Sequence, residues 1–404
     1  MPANFIDIHT HPALKTWLFP RHHLYDDKPP HNLKFSEKLF TGLPAMKKGN
    51  VNAGVSVYYL PEWDLDVNLM RHYFTAELAL VLTGLCPKLL QRLEDRTTPD
   101  SAFNQTKEYI AMFEAEVAEA RNKGFNASTA KTLAEFKEKI ANGETVFLHS
   151  IEGAHCLGFG NVALSTIQQR VDELFALGIC QFTLAHFFEN ILVSSQGGIP
   201  PGVRKFIHYT SGNTYAQGYN ERENIGEVIV DQLLEKGIII DLVHCTEGAK
   251  QMVYRRNNAR ATKRPLVFSH TGIRSVVLKY NPDFPYNDAN YLPDDNDILE
   301  IQKCGGVLGV IFMDYWLTGK EIVAPAIDVI IETIQHIAKV SGNYENIAIG
   351  SDLDGFTEVP RDLSGSDKMP ALINAMRQAG IHEADIDKIC FQNYLRVLER
   401  GWGQ

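Results

Sequence analysis

No stretch of this chain approaches the ~18 consecutive apolar residues of a membrane-spanning helix, and its opening residues carry no signal-peptide pattern. A cytoplasmic protein is expected, unless a leader has been removed. Cysteine is sparse: Cys86, Cys156, Cys180, Cys245, Cys304 and Cys390 show no CxxC spacing. That argues for free thiols in a reducing compartment rather than a disulfide framework. Positive charge is also short, with a formal net charge of -10, which repels phosphate backbones. The one compact basic run, residues 254–264, reads as a solvated helix face with its trailing loop. Neither nucleic acid nor membrane is expected as a partner; a small-molecule substrate is, and a homodimer is left open. Internal repeats, low-complexity tracts and a convincing linker are absent as well.

What is present is ordinary globular material, 404 residues with 45% hydrophobic and 22% charged. A core of that size folds without a structural metal, so a metal found here would be functional. Short, near-continuously apolar runs recur at residues 5–9, 51–59, 146–151, 181–186, 238–244, 266–270, 307–312 and 347–352. Continuous rather than alternating apolarity marks parallel strands buried on both faces. Helical patterns at 164–177, 227–235, 297–304 and 324–340 lie between runs, each followed closely by glycine. This rhythm of βα units predicts an α/β fold, a (β/α)8 TIM barrel, with an open doubly wound sheet as the alternative. Three spans exceed a minimal barrel: residues 12–45, 61–144 and 187–225. They read as insertions on a single domain spanning 1–404, the second carrying an amphipathic helix with Phe113, Val117 and Ala120 on one side.

The informative feature is what ends the runs. The first closes on His9-Thr10-His11, and a side-chain period of two points both imidazoles to one side. The third ends at Glu152, a helix cap, a core ion pair or a metal ligand able to bridge two cations. The fourth, fifth, sixth and eighth end at His186, His244, His270 and Asp352. Alone, each is an ordinary strand-end residue; together they face the rim where barrel enzymes build their sites. Imidazole and carboxylate donors suit zinc, with manganese, iron or cobalt as alternatives. One or two such divalent ions would acidify a water and polarise a carbonyl. Asp352 is placed to take the water's proton, and His186, outside the ligand count, to bond a developing oxyanion or the substrate. Asp7 and Asp241 can orient imidazoles or simply make strand-end hydrogen bonds. His22, His23 and His31 read as solvated loop histidines, and Asp354 as a carboxylate that structures its loop.

At these positions the sequence resembles the membrane (renal) dipeptidase family of the amidohydrolase superfamily. The resemblance runs through LPAMKKGNVNAGVSVYY (43–59), SIEGAH (150–155), FTLAHFFEN (182–190), GIIIDLVH (237–244), PLVFSH (265–270), IAIGSDLDGF (347–356) and ICFQNYLRVLE (389–399). It implies a (β/α)8 metallopeptidase with two zinc ions that hydrolyses dipeptides, often with a D-residue at the C-terminal side. By the same resemblance Glu152 bridges the metals, His9 and His11 complete one, and His244 and His270 hold the other. His186 then matches the substrate-binding histidine and Asp352 the acid/base aspartate.

The chain departs from the family in three places. The family opens with HxD, whereas His11 here supplies an imidazole and leaves the site one negative charge poorer. That opening also looks like TatD-type nucleases, so a metal-dependent phosphodiesterase is one rival and a non-catalytic metal-binding barrel another. Asn290 stands where the family's carboxylate-binding arginine is expected, with Arg274 or Lys279 as substitutes from the preceding loop. The seventh strand offers Ile311-Phe312-Met313 in place of an aromatic hydroxyl, with Tyr315 nearby.

Overall fold

The computed structural model describes residues 4–18, 22–27, 39–60, 62, 98, 100–158, 162–193, 225–320, 326–355 and 359–403. Nine strands form one sheet: β1 (Ile6–Thr10), β2 (Ala53–Tyr59), β3 (Ala127–Thr129), β4 (Thr145–Glu152), β5 (Ile179–Thr183), β6 (Ile239–Asp241), β7 (Leu266–Thr271), β8 (Val307–Val310) and β9 (Ile347–Ile349). Their order is β2-β1-β9-β8-β7-β6-β5-β4-β3, and a further β2–β4 pairing closes eight of them into a ring. Every strand pair is parallel. The eight apolar runs are these eight strands, so the barrel is closed and the open-sheet alternative is excluded. The β3 strand, paired to β4 outside the ring, was not anticipated. Three residues are too few for any periodicity to register.

Buried residues of the strands, among them Ile6, Val55, Leu148 and Val267, form one apolar cluster with Tyr394, Val397, Leu398 and Trp402 of the C-terminal segment. The helix Asn393–Gly401 therefore seals the strand N-terminal end, and Tyr394 donates a hydrogen bond to Gln181 Oε1 at 2.8 Å. Apolar side chains fill that end, which leaves the opposite, C-terminal end for polar groups. The intervening helices end much as their sequences imply. Asp294 caps Asp295–Cys304 through a capping box, and Gly305 closes it in the left-handed conformation. The amphipathic helix of the second excursion, Ser101–Asn122, buries Phe113, Val117 and Ala120. Large parts of the three excursions, including residues 28–38, 63–97 and 194–224, lie outside the described residues.

Register levels the strand ends. Glu152 pairs with Thr183, Thr183 with Asp241, Asp241 with Val267, and Asp7 with Ile349. Two irregularities then re-aim side chains at the rim. Asp7 and Thr10 of β1 face Gly54 and Ser56 of β2, and Phe268 and Thr271 of β7 face Leu308 and Val310 of β8. In each case three steps on one strand match two on its neighbour, so one residue is extra and the following side chains turn. His9 and His270 lie in these two irregular stretches. The Ser269 carbonyl beside them fits only because residues 309 and 350 are glycines; a Cβ at either would lie 2.0 or 1.7 Å from it.

Candidate metal centre and active site

The end of β9 is knitted to β1. Asp352 N–H donates to His9 O at 3.0 Å and His11 N–H to Leu353 O at 2.9 Å. This brings three side chains together: His11 Nε2 lies 3.1 Å from Asp352 Oδ1 and 3.1 Å from His9 Nε2. Glu152 reaches in from β4, with Oε1 3.6 Å from His9 Nε2 and Oε2 3.5 Å from His11 Nε2. The same Oε1 is 3.5 Å from His244 Nε2, 3.7 Å from His270 Nε2 and 4.0 Å from His186 Nε2. One carboxylate thus stands among five imidazoles, all buried. His244 and Asp352 hold left-handed backbone, φ 64 and 59, which costs a non-glycine residue about 1 kcal/mol or more and is concentrated at functional sites.

Behind the cluster lies a hydrogen-bond relay. The Ser269 hydroxyl donates to Asp241 Oδ2 at 2.5 Å, and it sits 2.8 Å from His9 Nδ1 and 2.9 Å from His270 Nδ1. Thr183 Oγ1 donates to the same Asp241 oxygen at 2.6 Å, and Ser269 N–H to Oδ1 at 2.9 Å. Because the serine's one proton goes to Asp241, its oxygen accepts from the imidazoles. A histidine protonated at Nδ1 keeps its Nε2 lone pair for the cluster. Asp241 therefore acts through Ser269 rather than touching an imidazole directly. Asp7 accepts the backbone N–H groups of Ser351 and His9 at 2.9 and 3.3 Å.

Burial dominates the electrostatics. It holds His9, His186 and His270 well below the ordinary imidazole range, helped by their imidazole neighbours, and lowers His244 too. Neutral imidazoles are the form that ligates metal. Burial pushes Glu152 up to about 8 and Asp7 to about 7. At His11 burial opposes charge, but the Asp352 hydrogen bond and the Glu152 carboxylate outweigh it, and its pKa rises. The residues fit a divalent cation. Among the described residues, His244 Nε2 is buried without a hydrogen-bond partner. Three groups, His9–His11–Asp352, Glu152–His186–His244 and His9–Asp241–His270, each place three donor atoms within 4.8 Å of one another.

Other expected residues lie elsewhere. Arg274 spends its guanidinium on the carbonyls of Ala289 and Leu292, at 2.9 and 3.3 Å, and pairs with Asp294 at 3.5 Å. Lys279 pairs with Glu332 at 2.6 Å on the surface, and Tyr315 donates to Asp288 at 2.6 Å. None of the three is brought into the cluster. Asp354 accepts from Lys15, Phe40 N–H and both donors of Thr41, so it organises loops as expected. His22 is buried rather than solvated. His23 contacts Glu116 at 3.3 Å and stacks on Tyr25; His31 is outside the described residues. Glu62 was missed. It is 3% exposed and bonds His186, and a carboxylate in a loop after β2 gives no sequence signal of its own.

The family model of membrane dipeptidases, peptidase family M19, matches residues 3–401. Dipeptidase verJ of Clonostachys rogersoniana is 27% identical over 270 residues, 67% of this chain and 59% of its own length. An uncharacterised dipeptidase of Schizosaccharomyces pombe is 28% identical over 225 residues, 56% of this chain and 47% of its own. The chain thus spans about half to three fifths of these curated relatives. Among solved structures, the dipeptidase AC, a metallopeptidase of family M19, superposes with a TM-score of 0.72 at 19% identity, covering 100% of both chains. A metallopeptidase from Rhodobacter sphaeroides, bound to a phosphinate mimic of the dipeptide L-Ala-D-Ala, gives 0.71 at 19% identity, again covering 100% of both. At these identities the superpositions establish a shared fold. The family match, running almost from end to end of the polypeptide, establishes more: this chain belongs to the membrane dipeptidase family, M19.

Proposed function

We propose that this protein is a metal-dependent dipeptidase, one (β/α)8 hydrolase domain that cleaves the amide of a dipeptide or a related small amide. The observation that carries this reading is the meeting of His9, His11, Glu152, His244, His270 and Asp352, from five strand ends, in one buried cluster. Divalent ions would be held there by Glu152, which stands between the two sets of imidazoles, with His9 and His11 on one side and His244 and His270 on the other. Zinc suits this mix of neutral imidazole and carboxylate. Divalent ions bound there would supply an acidified water and a polarised carbonyl.

The chain's own groups do the rest. Asp352, fixed beside His11 and by its backbone to His9, accepts a proton from the attacking water and passes it to the leaving amine. His186 directs Nε2 toward the cluster and meets the substrate. The engagement of Arg274 with carbonyls argues against its holding the substrate carboxylate. Five of the cysteines are free and buried, which supports a reducing, cytoplasmic setting. Among the described residues, no helix is long and apolar enough to cross a membrane.

The test is hydrolysis of L,L- and L,D-dipeptides, with phosphodiesters as the contrast, by protein loaded with zinc or manganese. Dipeptide cleavage is expected, together with loss of bound metal in His244→Asn, a substitution that tolerates the left-handed backbone. A fully metallated protein that cleaves no dipeptide would overturn the reading.

A further inference from the structure

Glu62 is 3% exposed, yet no lysine or arginine pairs with it among the described residues. Its oxygens collect hydrogen bonds instead. Oε2 lies 2.9 Å from His186 Nδ1 and accepts from the Tyr59 hydroxyl at 3.3 Å, while Oε1 accepts the Phe188 N–H at 3.0 Å. One side chain after β2 therefore grips the loop after β5 at the histidine and again two residues beyond it. The ring is also boxed in: Tyr59 and Phe187 pack against it at centroid distances of 4.3 and 3.9 Å. A Cβ at residue 153 would come within 3.2 Å of the His186 Cβ.

An ionised carboxylate only accepts, so the imidazole nitrogen facing it must carry the hydrogen. With Nδ1 committed to Glu62, Nε2 is the nitrogen left for the cluster, 4.0 Å from Glu152 Oε1. We propose that Glu62 is the positioning residue of His186: it fixes the ring plane and keeps the proton on Nδ1, so that Nε2 alone meets the substrate. Glu62 touches neither the substrate nor the reacting atoms. The kinetic part of this inference rests on the dipeptidase reading, whereas the tautomer part does not.

The experiment uses the whole 404-residue chain labelled with 15N at histidine, as wild type, Glu62→Gln, Glu62→Ala and His186→Ala. His186→Ala identifies the His186 ring signals. Wild type is expected to hold the proton on Nδ1; both Glu62 variants should lose that preference while their thermal unfolding remains cooperative. On a dipeptide, Glu62→Gln should lower kcat/KM on the order of tenfold, as for other outer partners of site histidines. In a His186→Ala background, Glu62→Gln should add no further loss, because Glu62 acts only through that ring. An unchanged His186 tautomer in Glu62→Ala, or losses that multiply in the double variant, overturns the proposal. Absence of dipeptide cleavage by the wild type would count against the dipeptidase reading alone, and the tautomer result would still decide the role of Glu62.

Discussion

Two buried charged clusters in this molecule are opposites. Between the helices Glu247–Asn258 and Asp295–Cys304, Lys250 is fully buried against Asp297 at 2.6 Å and Glu247 at 2.9 Å. Tyr254 completes Asp297 from the other side at 2.8 Å. Cation meets anion, donors meet acceptors, and nothing further is required. At the barrel mouth the same burial assembles lone pairs instead. His9 Nε2 faces His11 Nε2 at 3.1 Å, Glu152 lies 3.5 to 3.7 Å from four imidazoles, and His244 Nε2 has no hydrogen bond among the described residues. Burial raises Glu152 and depresses most of the imidazoles because it outweighs the opposite charges nearby, His11 beside Glu152 among them. The first cluster is closed on itself; the second gathers donors that a cation would complete. Burial alone does not identify an active site, but the balance of donors and acceptors within it does.

The sharpest way to break this contrast is Asp352→Asn, which keeps the size and tolerates φ 59. We expect kcat for a dipeptide to fall on the order of 10²–10⁴-fold, the range for a lost proton-transfer group. Elemental analysis should find the metal still bound. A variant that turned over normally would remove Asp352 from the chemistry. Lys250→Met probes the closed cluster and should cost about 3–5 kcal/mol, because it leaves Asp297 buried without its cation. Denaturant unfolding measures that loss, while metal content and kcat of the folded fraction should stay at wild-type values. An effect on kcat instead would mean that the two clusters are linked. Ser269→Ala is the mildest: it removes the oxygen joining His9, His270 and Asp241. Metal affinity should weaken about 10–100-fold, as read by competition with a chelator, and unchanged affinity would show that the relay does not set the imidazole tautomers.

The barrel was legible because parallel strands buried on both faces must be apolar throughout, and glycine stops punctuate the helices between them. The histidines and carboxylates stood out because polar residues at the ends of such strands are conspicuous. Arg274 shows where this reasoning stops. Its position in the chain suited a carboxylate clamp, yet its guanidinium satisfies the Ala289 and Leu292 carbonyls of its own loop. Charge and position do not reveal which acceptor a long side chain will find first. His22 misleads in the opposite direction, since a histidine in a polar stretch gives no sign that it will be buried.

Chain chemistry by itself determined the alternation of strand and helix, the eight apolar strands and the residue types at their ends, since hydrophobic periodicity and backbone stops are local properties, whereas closure of the ring came from the β2–β4 pairing. Tertiary structure alone decided that Glu62 holds His186 from 124 positions away. It also decided that Ser269 joins two imidazoles to Asp241, and that extra residues in β1 and β7 turn His9 and His270 toward Glu152. These are matters of register, and register is set by how whole strands pack around a common core.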